Sequence, residues 1–220
     1  MELTLARVKK DRQINEFIKQ TNHYLKELGY TDHGFRHVNI VADRALSLAA
    51  KIGLSKKTGE LAAIAGYCHD MGNFLGRTQH HYWAAMLFSQ IYIKEADPND
   101  LSTIMQAIVN HDKNDLKLLN DVSAILVLAD KSDVHRSRVL EVVKNGNMDI
   151  HDRVNYSVTD SDLFVEKNKK IIHLFLKVDT KVTSVLEYFE IFTERMTFCR
   201  TAAEYLGYRF SLEINNFKLS

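Results

Sequence analysis

The chain has 220 residues, 45% of them hydrophobic, and carries 29 basic against 28 acidic residues for a formal net charge of +1. That length suits one main domain with room for a small second element, and the apolar content is ample for a core. The near-neutral balance gives no strong nucleic-acid signal and none for an anionic membrane surface. The longest apolar runs, such as "AILVLAD" and "LAAIAGYC", are too short to span a bilayer, and charges interrupt the N-terminal "MELTLARVKKDRQ" where a signal peptide would be apolar. Two cysteines, Cys68 and Cys199, offer no disulfide framework and fit a reducing cytoplasm.

Residues 1–146 read as helix after helix. In "DRQINEFIKQTNHYLKELG", Ile14, Phe17, Ile18, Leu25 and Leu28 fall largely on one helical face, and Gly29 is a stop. "FRHVNIVADRALSLAAKIG" repeats the pattern with Val38, Val41, Ala45, Leu48 and Ile52 before Gly53. Ser55 is placed to cap a helix running through "ELAAIAGYCHD" to Gly72. A further helix is expected over 79–95, with His80, Ala84, Leu87 and Ile91 as its inward stripe. Asp97-Pro98 opens another that ends near His111. "DVSAILVLADKSDVHRSRVLEVVK" reads as the last of the series.

After "NGNMD" the pattern changes. "VNYSVTDSDLFVEK" and "IIHLFLKVD" are strand-like and separated by "NKK"; a long helix over 180–206 and a strand-like "YRFSLEINNFKL" follow. Residues 147–220 therefore predict a small α+β element with an antiparallel sheet. The fold class is mainly α, a helical bundle with that C-terminal appendage.

The pair His-Asp occurs at His69-Asp70, His111-Asp112 and His151-Asp152. The first ends a strongly apolar helix, where unpaired polar groups are costly. A plain helix end, with Asp70 and Asn73 bonding nearby backbone, accounts for it equally well. His37 lies on the face of Val41 and Ala45, where a lone histidine is more often a satisfied core residue than a ligand. Asp130 interrupts "AILVLADKSD", and a carboxylate in so apolar a helix needs a partner or a metal. His151-Asp152 sits in polar, loop-like composition and is set aside.

His37, "HDMGN" at His69-Asp70, and "LADKSD" at Asp130, with 32 residues from His37 to His69, resemble the HD-domain metal-dependent phosphohydrolases over roughly residues 30–140. His33 is a weaker first ligand. His80 and His111 resemble the two additional histidines of the binuclear branch; "HHYWAAML" favours His80 over His81, and the cyclic-dinucleotide subgroup's GYP motif is absent. Asn73 stands where many relatives carry lysine. The resemblance implies an HD helical bundle over 1–146. It also implies one divalent ion on His37, His69, Asp70 and Asp130, and a second on His80 and His111, with Asp70 bridging. Nitrogen and oxygen donors suit Mn, Fe, Zn or Ni, with Mg also admissible.

The resemblance further implies a hydrolase that attacks phosphomonoesters or phosphodiesters of a small, nucleotide-like substrate with a metal-activated hydroxide. Asp70, His80 and His111 would be its catalytic residues, and Lys131, Arg136, Arg138 and Arg77 are candidates for binding the phosphate. Two alternatives stay open: a di-iron oxygenase on the same scaffold, and a metal-stabilised regulatory module without turnover. The tail could cover the site, form a homodimer edge or bind a partner.

Overall fold

The structure is a computed structural model that describes residues 3–113, 116–139 and 148–219. The chain divides into two compact units, Met1–Asp130 and Lys131–Ser220. It is mainly helical, with a small four-stranded sheet near the C-terminus. Among the described residues no helix is long and apolar enough to cross a membrane.

The first unit is built from α1 (Leu5–Val8), α2 (Arg12–Glu27), α3 (Phe35–Ile52), α4 (Lys56–Cys68), α5 (His80–Tyr92), α6 (Pro98–Asn110) and most of α7 (Asp121–Lys131). Local sequence chemistry starts and stops them. Asp11 caps α2 by accepting from the Gln13 and Ile14 amides, and Asp97 does the same for α6 before Pro98. Ser55 caps α4 through the Thr58 amide. α3 ends at Gly53, whose φ of +90° is left-handed backbone that glycine adopts without strain. Ile14, Ile18, Val38, Val41, Ala45, Ile64, Ile104 and Ile108 are fully buried, so the apolar stripes of α2, α3, α4 and α6 meet in one core. Leu28, expected on the α2 stripe, is instead exposed beyond the helix end.

α3 and α4 cross closely at Gly66. A Cβ there would lie 3.0 Å from Val41 Cγ1 and 3.3 Å from the Ala42 amide nitrogen. This contact brings the helix carrying His37 against the one that ends at His69. The inward stripe of α5 also differs from expectation. Ala84, Ala85, Phe88 and Tyr92 are buried, whereas Leu87 and Ile91 are half-buried. Phe88 and Tyr92 pack with their rings tilted at 52° and centroids 5.0 Å apart, and anchor that face.

The predicted helix over 121–144 is shorter than expected. α7 stops at Lys131, and a 3-10 turn follows at Arg136–Arg138; residues 140–147 lie outside the described residues. His135 ends any helical continuation, since its extended backbone and its ring cap the 3-10 turn at the Ser137 amide.

In the second unit, α8 (Ile150–Ser157) replaces the loop expected around His151-Asp152. Asp149 is its N-cap, accepting from the Asp152 amide. β1 (Val158–Glu166) and β2 (Ile171–Val178) pair antiparallel, as their β-branched and aromatic content predicts. α9 (Val185–Tyr205) opens with a capping box between Ser184 and Glu187 and leads to β3 (Arg209–Ile214) and β4 (Phe217–Lys218). The sheet order is β1-β2-β3-β4. β2 and β3 are parallel, where a wholly antiparallel sheet was expected. The reason is the connection: the helical crossover α9 returns the chain to the starting end of β2, so β3 runs in the same direction. β3 and β4 form a hairpin through Asn215 and Asn216, both with positive φ.

Candidate metal centre

His37 faces inward from the first turn of α3, with no solvent exposure. His69 is the C-cap of α4, and Asp70 follows it in the tight turn before a 3-10 segment at Asn73–Leu75. His80 begins α5, His111 is the C-cap of α6, and Asp130 lies in the last turn of α7. All six side chains are buried and converge, although they come from five helices. None of them needs a loop of its own; helix ends supply the positions.

The two oxygens of Asp70 face different histidine pairs. Oδ2 lies 3.1 Å from His69 Nε2 and 3.5 Å from His37 Nε2. Oδ1 lies 3.2 Å from His80 Nε2 and 3.8 Å from His111 Nε2. Asp130 Oδ1 completes the first group, 3.4 Å from His37 Nε2 and 3.6 Å from His69 Nε2. Within each pair the Nε2 atoms are 3.2 Å apart, His37 to His69 and His80 to His111.

The donor chemistry fits a cation. His69, His80 and His111 each direct Nδ1 at a backbone carbonyl, of Gly66, Arg77 and Ile108, at 2.8, 3.1 and 2.6 Å. A carbonyl only accepts, so Nδ1 carries the hydrogen and Nε2 of the neutral ring presents a lone pair. Four donors about 2.0–2.2 Å from one ion stand about 3.3–3.6 Å apart in a tetrahedron and about 3 Å apart as octahedral neighbours. The separations of His37 and His69 from each other and from each of Asp70 and Asp130 span 3.1 to 3.6 Å, and Asp130 also falls within reach of His69 and His111 as a grouping of its own. The group of Asp70, His80 and His111 has three donors.

Electrostatics in the metal-free chain point the same way. Burial alone would lower the His69 pKa, but the Asp70 charge and hydrogen bonds to Asp130 and Asp70 override it and raise it to about 10. Burial would raise Asp70, yet the surrounding histidines hold its carboxyl well below the usual carboxylate range. The proton on His69 supplies positive charge at a place where a metal cation could supply it.

His81 lies beside the cluster. Its ring is 5.5 Å from His80 and 6.3 Å from His111 between centroids, and its Nδ1 is buried with no hydrogen-bond partner among the described residues. Burial, reinforced by His111 and His80, pushes its pKa down to about 4. His80, His81 and Asp112 form a further grouping of donors. It draws on His80 again, and one imidazole nitrogen serves one ion, so this grouping and that of Asp70, His80 and His111 exclude each other. His33 is buried and packs edge-on against His37, ring centroids 5.8 Å apart, with its Nδ1 2.5 Å from the Thr31 carbonyl oxygen.

Arg77 reaches the cluster from the turn before α5. Its guanidinium donates to Asn73 Oδ1 at 3.0 Å, lies 3.4 Å from both ring nitrogens of His80 and 3.9 Å from Asp112 Oδ2. Lys131, Arg136 and Arg138 belong to the second unit. Arg138 is buried and donates to the Asp133 carbonyl at 2.9 Å, while Arg136 lies over the Tyr156 ring and Lys131 is buried.

Sequence reasoning missed Asn73 as a participant. It is fully buried and donates to Asp70 Oδ1 at 2.9 Å. Its three-residue spacing from Asp70 is the one signal that places it there, on the same side of a helical turn.

No family model matches the chain. It is 27% identical over 165 residues to an uncharacterized protein of Methanocaldococcus jannaschii, an alignment that covers 64% of this chain and 63% of that relative. The chain thus spans under two thirds of the length of the relative it matches, and buried His and Asp clusters able to hold a metal are what the structure adds.

Proposed function

We propose that the chain is a metal-dependent phosphohydrolase of the HD-domain type, with two divalent ions and a small phosphate ester, nucleotide-like in kind, as substrate. The observation that carries this reading is the two-sided Asp70, whose Oδ2 faces His37 and His69 while Oδ1 faces His80 and His111. His37, His69, Asp70 and Asp130 would hold one ion, and Asp70, His80 and His111 the other. Divalent cations on such donors supply Lewis acidity and a nucleophile from water at neutral pH.

The chain's own residues account for the rest. Each carbonyl-bound Nδ1 fixes a ring so that its Nε2 faces the centre without reorganisation. Arg77 presents a guanidinium beside His80, the position from which it would donate a hydrogen bond to a phosphoryl oxygen. The enclosing apolar helices exclude water and strengthen each charge interaction in the site. Asp112, one third exposed, stands beside the cluster, close to both Arg77 and His80.

The test is hydrolysis of a panel of nucleoside monophosphates, cyclic nucleotides and sugar phosphates by protein reconstituted with Mn²⁺, Fe²⁺, Zn²⁺ or Ni²⁺. Turnover that disappears in Asp70→Asn is expected. An inert wild-type chain carrying its full complement of metal would overturn the reading.

A further inference from the structure

The side-chain amide of Asn73 is locked between two groups whose chemistry allows only one orientation. On one side Arg77 can only donate, so the atom facing it at 3.0 Å is Oδ1. On the other side are Asp70 Oδ1 and the Asp70 carbonyl, both acceptors, each 2.9 Å from Nδ2. The assignment of oxygen and nitrogen follows from the partners. Asn73 has no solvent exposure, and its backbone amide also donates to the Asp70 carbonyl at 3.0 Å.

The consequence falls on Asp70. A carboxylate between two groups of histidines is free to rotate about its terminal torsion, which is broad. The Asn73 hydrogen bond occupies one lone pair of Oδ1 and leaves the other directed at His80 and His111. Arg77 in turn keeps the amide from flipping, since a flipped Asn73 would present nitrogen to a guanidinium and oxygen to a carboxylate.

We propose that Asn73, keyed by Arg77, is the positioning residue that makes Asp70 serve both groups of donors, and that occupancy by a second ion depends on it. This rests on the two-ion reading above. The ion held by His37, His69 and Asp130 keeps three donors that Asn73 does not touch, whereas the other position loses one of its three when Asp70 turns. Outer partners of ligands typically change metal affinity 10–100-fold.

The test is Mn²⁺ titration of the metal-free chain, read by calorimetry and by electron paramagnetic resonance, where a coupled pair and a single ion differ. Wild type is expected to take two equivalents and show the coupled signal. Asn73→Ala should take the first equivalent with near-native affinity and the second 10–100-fold more weakly, with loss of coupling. Arg77→Leu leaves the buried amide in place, so it carries the test even where Asn73→Ala folds poorly; it should weaken the second equivalent as well. Circular dichroism of the metal-free variants verifies the fold. A second equivalent of wild-type affinity in either folded variant overturns the proposal. A wild-type chain that takes one equivalent or none overturns the two-ion reading itself, and the role of Asn73 with it.

Discussion

His80 and His111 meet through Nε2 atoms 3.2 Å apart while each ring gives its Nδ1 hydrogen to a backbone carbonyl. In neutral rings two lone pairs then oppose each other inside a buried site, which is unfavourable unless a cation lies between them or one ring takes a second proton. Metal should therefore stabilise the fold. An ion that binds the native state adds about 2.7 kcal/mol at a hundredfold excess over its Kd. Thermal unfolding should show a higher Tm with Mn²⁺ or Zn²⁺ and a fall on chelation, and His80→Ala/His111→Ala should remove much of the difference. An unchanged Tm on chelation of metal-loaded protein would contradict the two-ion arrangement.

The pH dependence of the metal-free chain follows from His69. Its pKa is raised from 6.5 to about 10, with burial opposing and Asp70 driving the rise. A group raised on folding contributes stability that is complete below its unfolded value, here about 6.5, and is lost as pH climbs through the folded value. The metal-free chain should thus lose stability between pH 6.5 and 10, while loaded protein, in which metal would take the place of the titrating proton on His69 Nε2, should not. The Tm gap between loaded and metal-free protein should widen across that window, and His69→Gln should flatten it. Equal gaps at pH 7 and pH 10 would refute the assignment.

Much of this was legible because the helices carry local signals. Ser55 and Asp97 cap where their chemistry predicts, and His37, His69, Asp70, His80, His111 and Asp130 stand on apolar faces or helix ends that the pattern marks out. What the sequence concealed depends on tertiary context. The end of α7 at Lys131 was hidden because "SDVHRSR" keeps helix-compatible residues, and only the cap made by His135 shows the break. α8 looked like loop because polar composition outweighed the single N-cap at Asp149. The parallel pairing of β2 with β3 is a property of the crossover and not of either strand. Asn73 reads as a helix-end asparagine until Arg77, four residues later, folds back onto it.

Gly72 offers a test of how the turn after Asp70 places α5. A Cβ at this position would lie 2.4 Å from the Ala84 amide nitrogen, 2.4 Å from the His80 carbonyl oxygen and 2.9 Å from Trp83 Cβ. Backbone cannot yield as a flexible side chain does, so Gly72→Ala must push α5 away. Overpacking of this kind costs about 1–3 kcal/mol. Because His37 and His69 lie on α3 and α4, the variant should retain one equivalent of metal and lose the one that needs His80. Two equivalents with native affinity in Gly72→Ala would show that α5 does not depend on this contact.

Arg138 and Arg77 should separate into different roles. Arg138 is 2% exposed, its Nε is 3.9 Å from the Asp133 carboxylate and one terminal nitrogen donates to the Asp133 carbonyl at 2.9 Å. Asp133 is 1% exposed, so removing the guanidinium strips that buried carboxylate of a compensating charge. Breaking a buried pair from one side costs about 3–5 kcal/mol. Arg138→Met should accordingly lower Tm sharply, and Asp133→Asn/Arg138→Met should recover part of the loss because less charge is then buried. Arg77 is only half-buried, and its guanidinium faces the site from a turn. With Mn²⁺ in large excess, so that the weakened second position stays filled, Arg77→Ala should leave Tm within a few degrees of wild type and raise KM for the phosphate ester. A Tm loss in Arg77→Ala as large as that in Arg138→Met would place both arginines in the scaffold and leave the phosphate without the cation assigned to it.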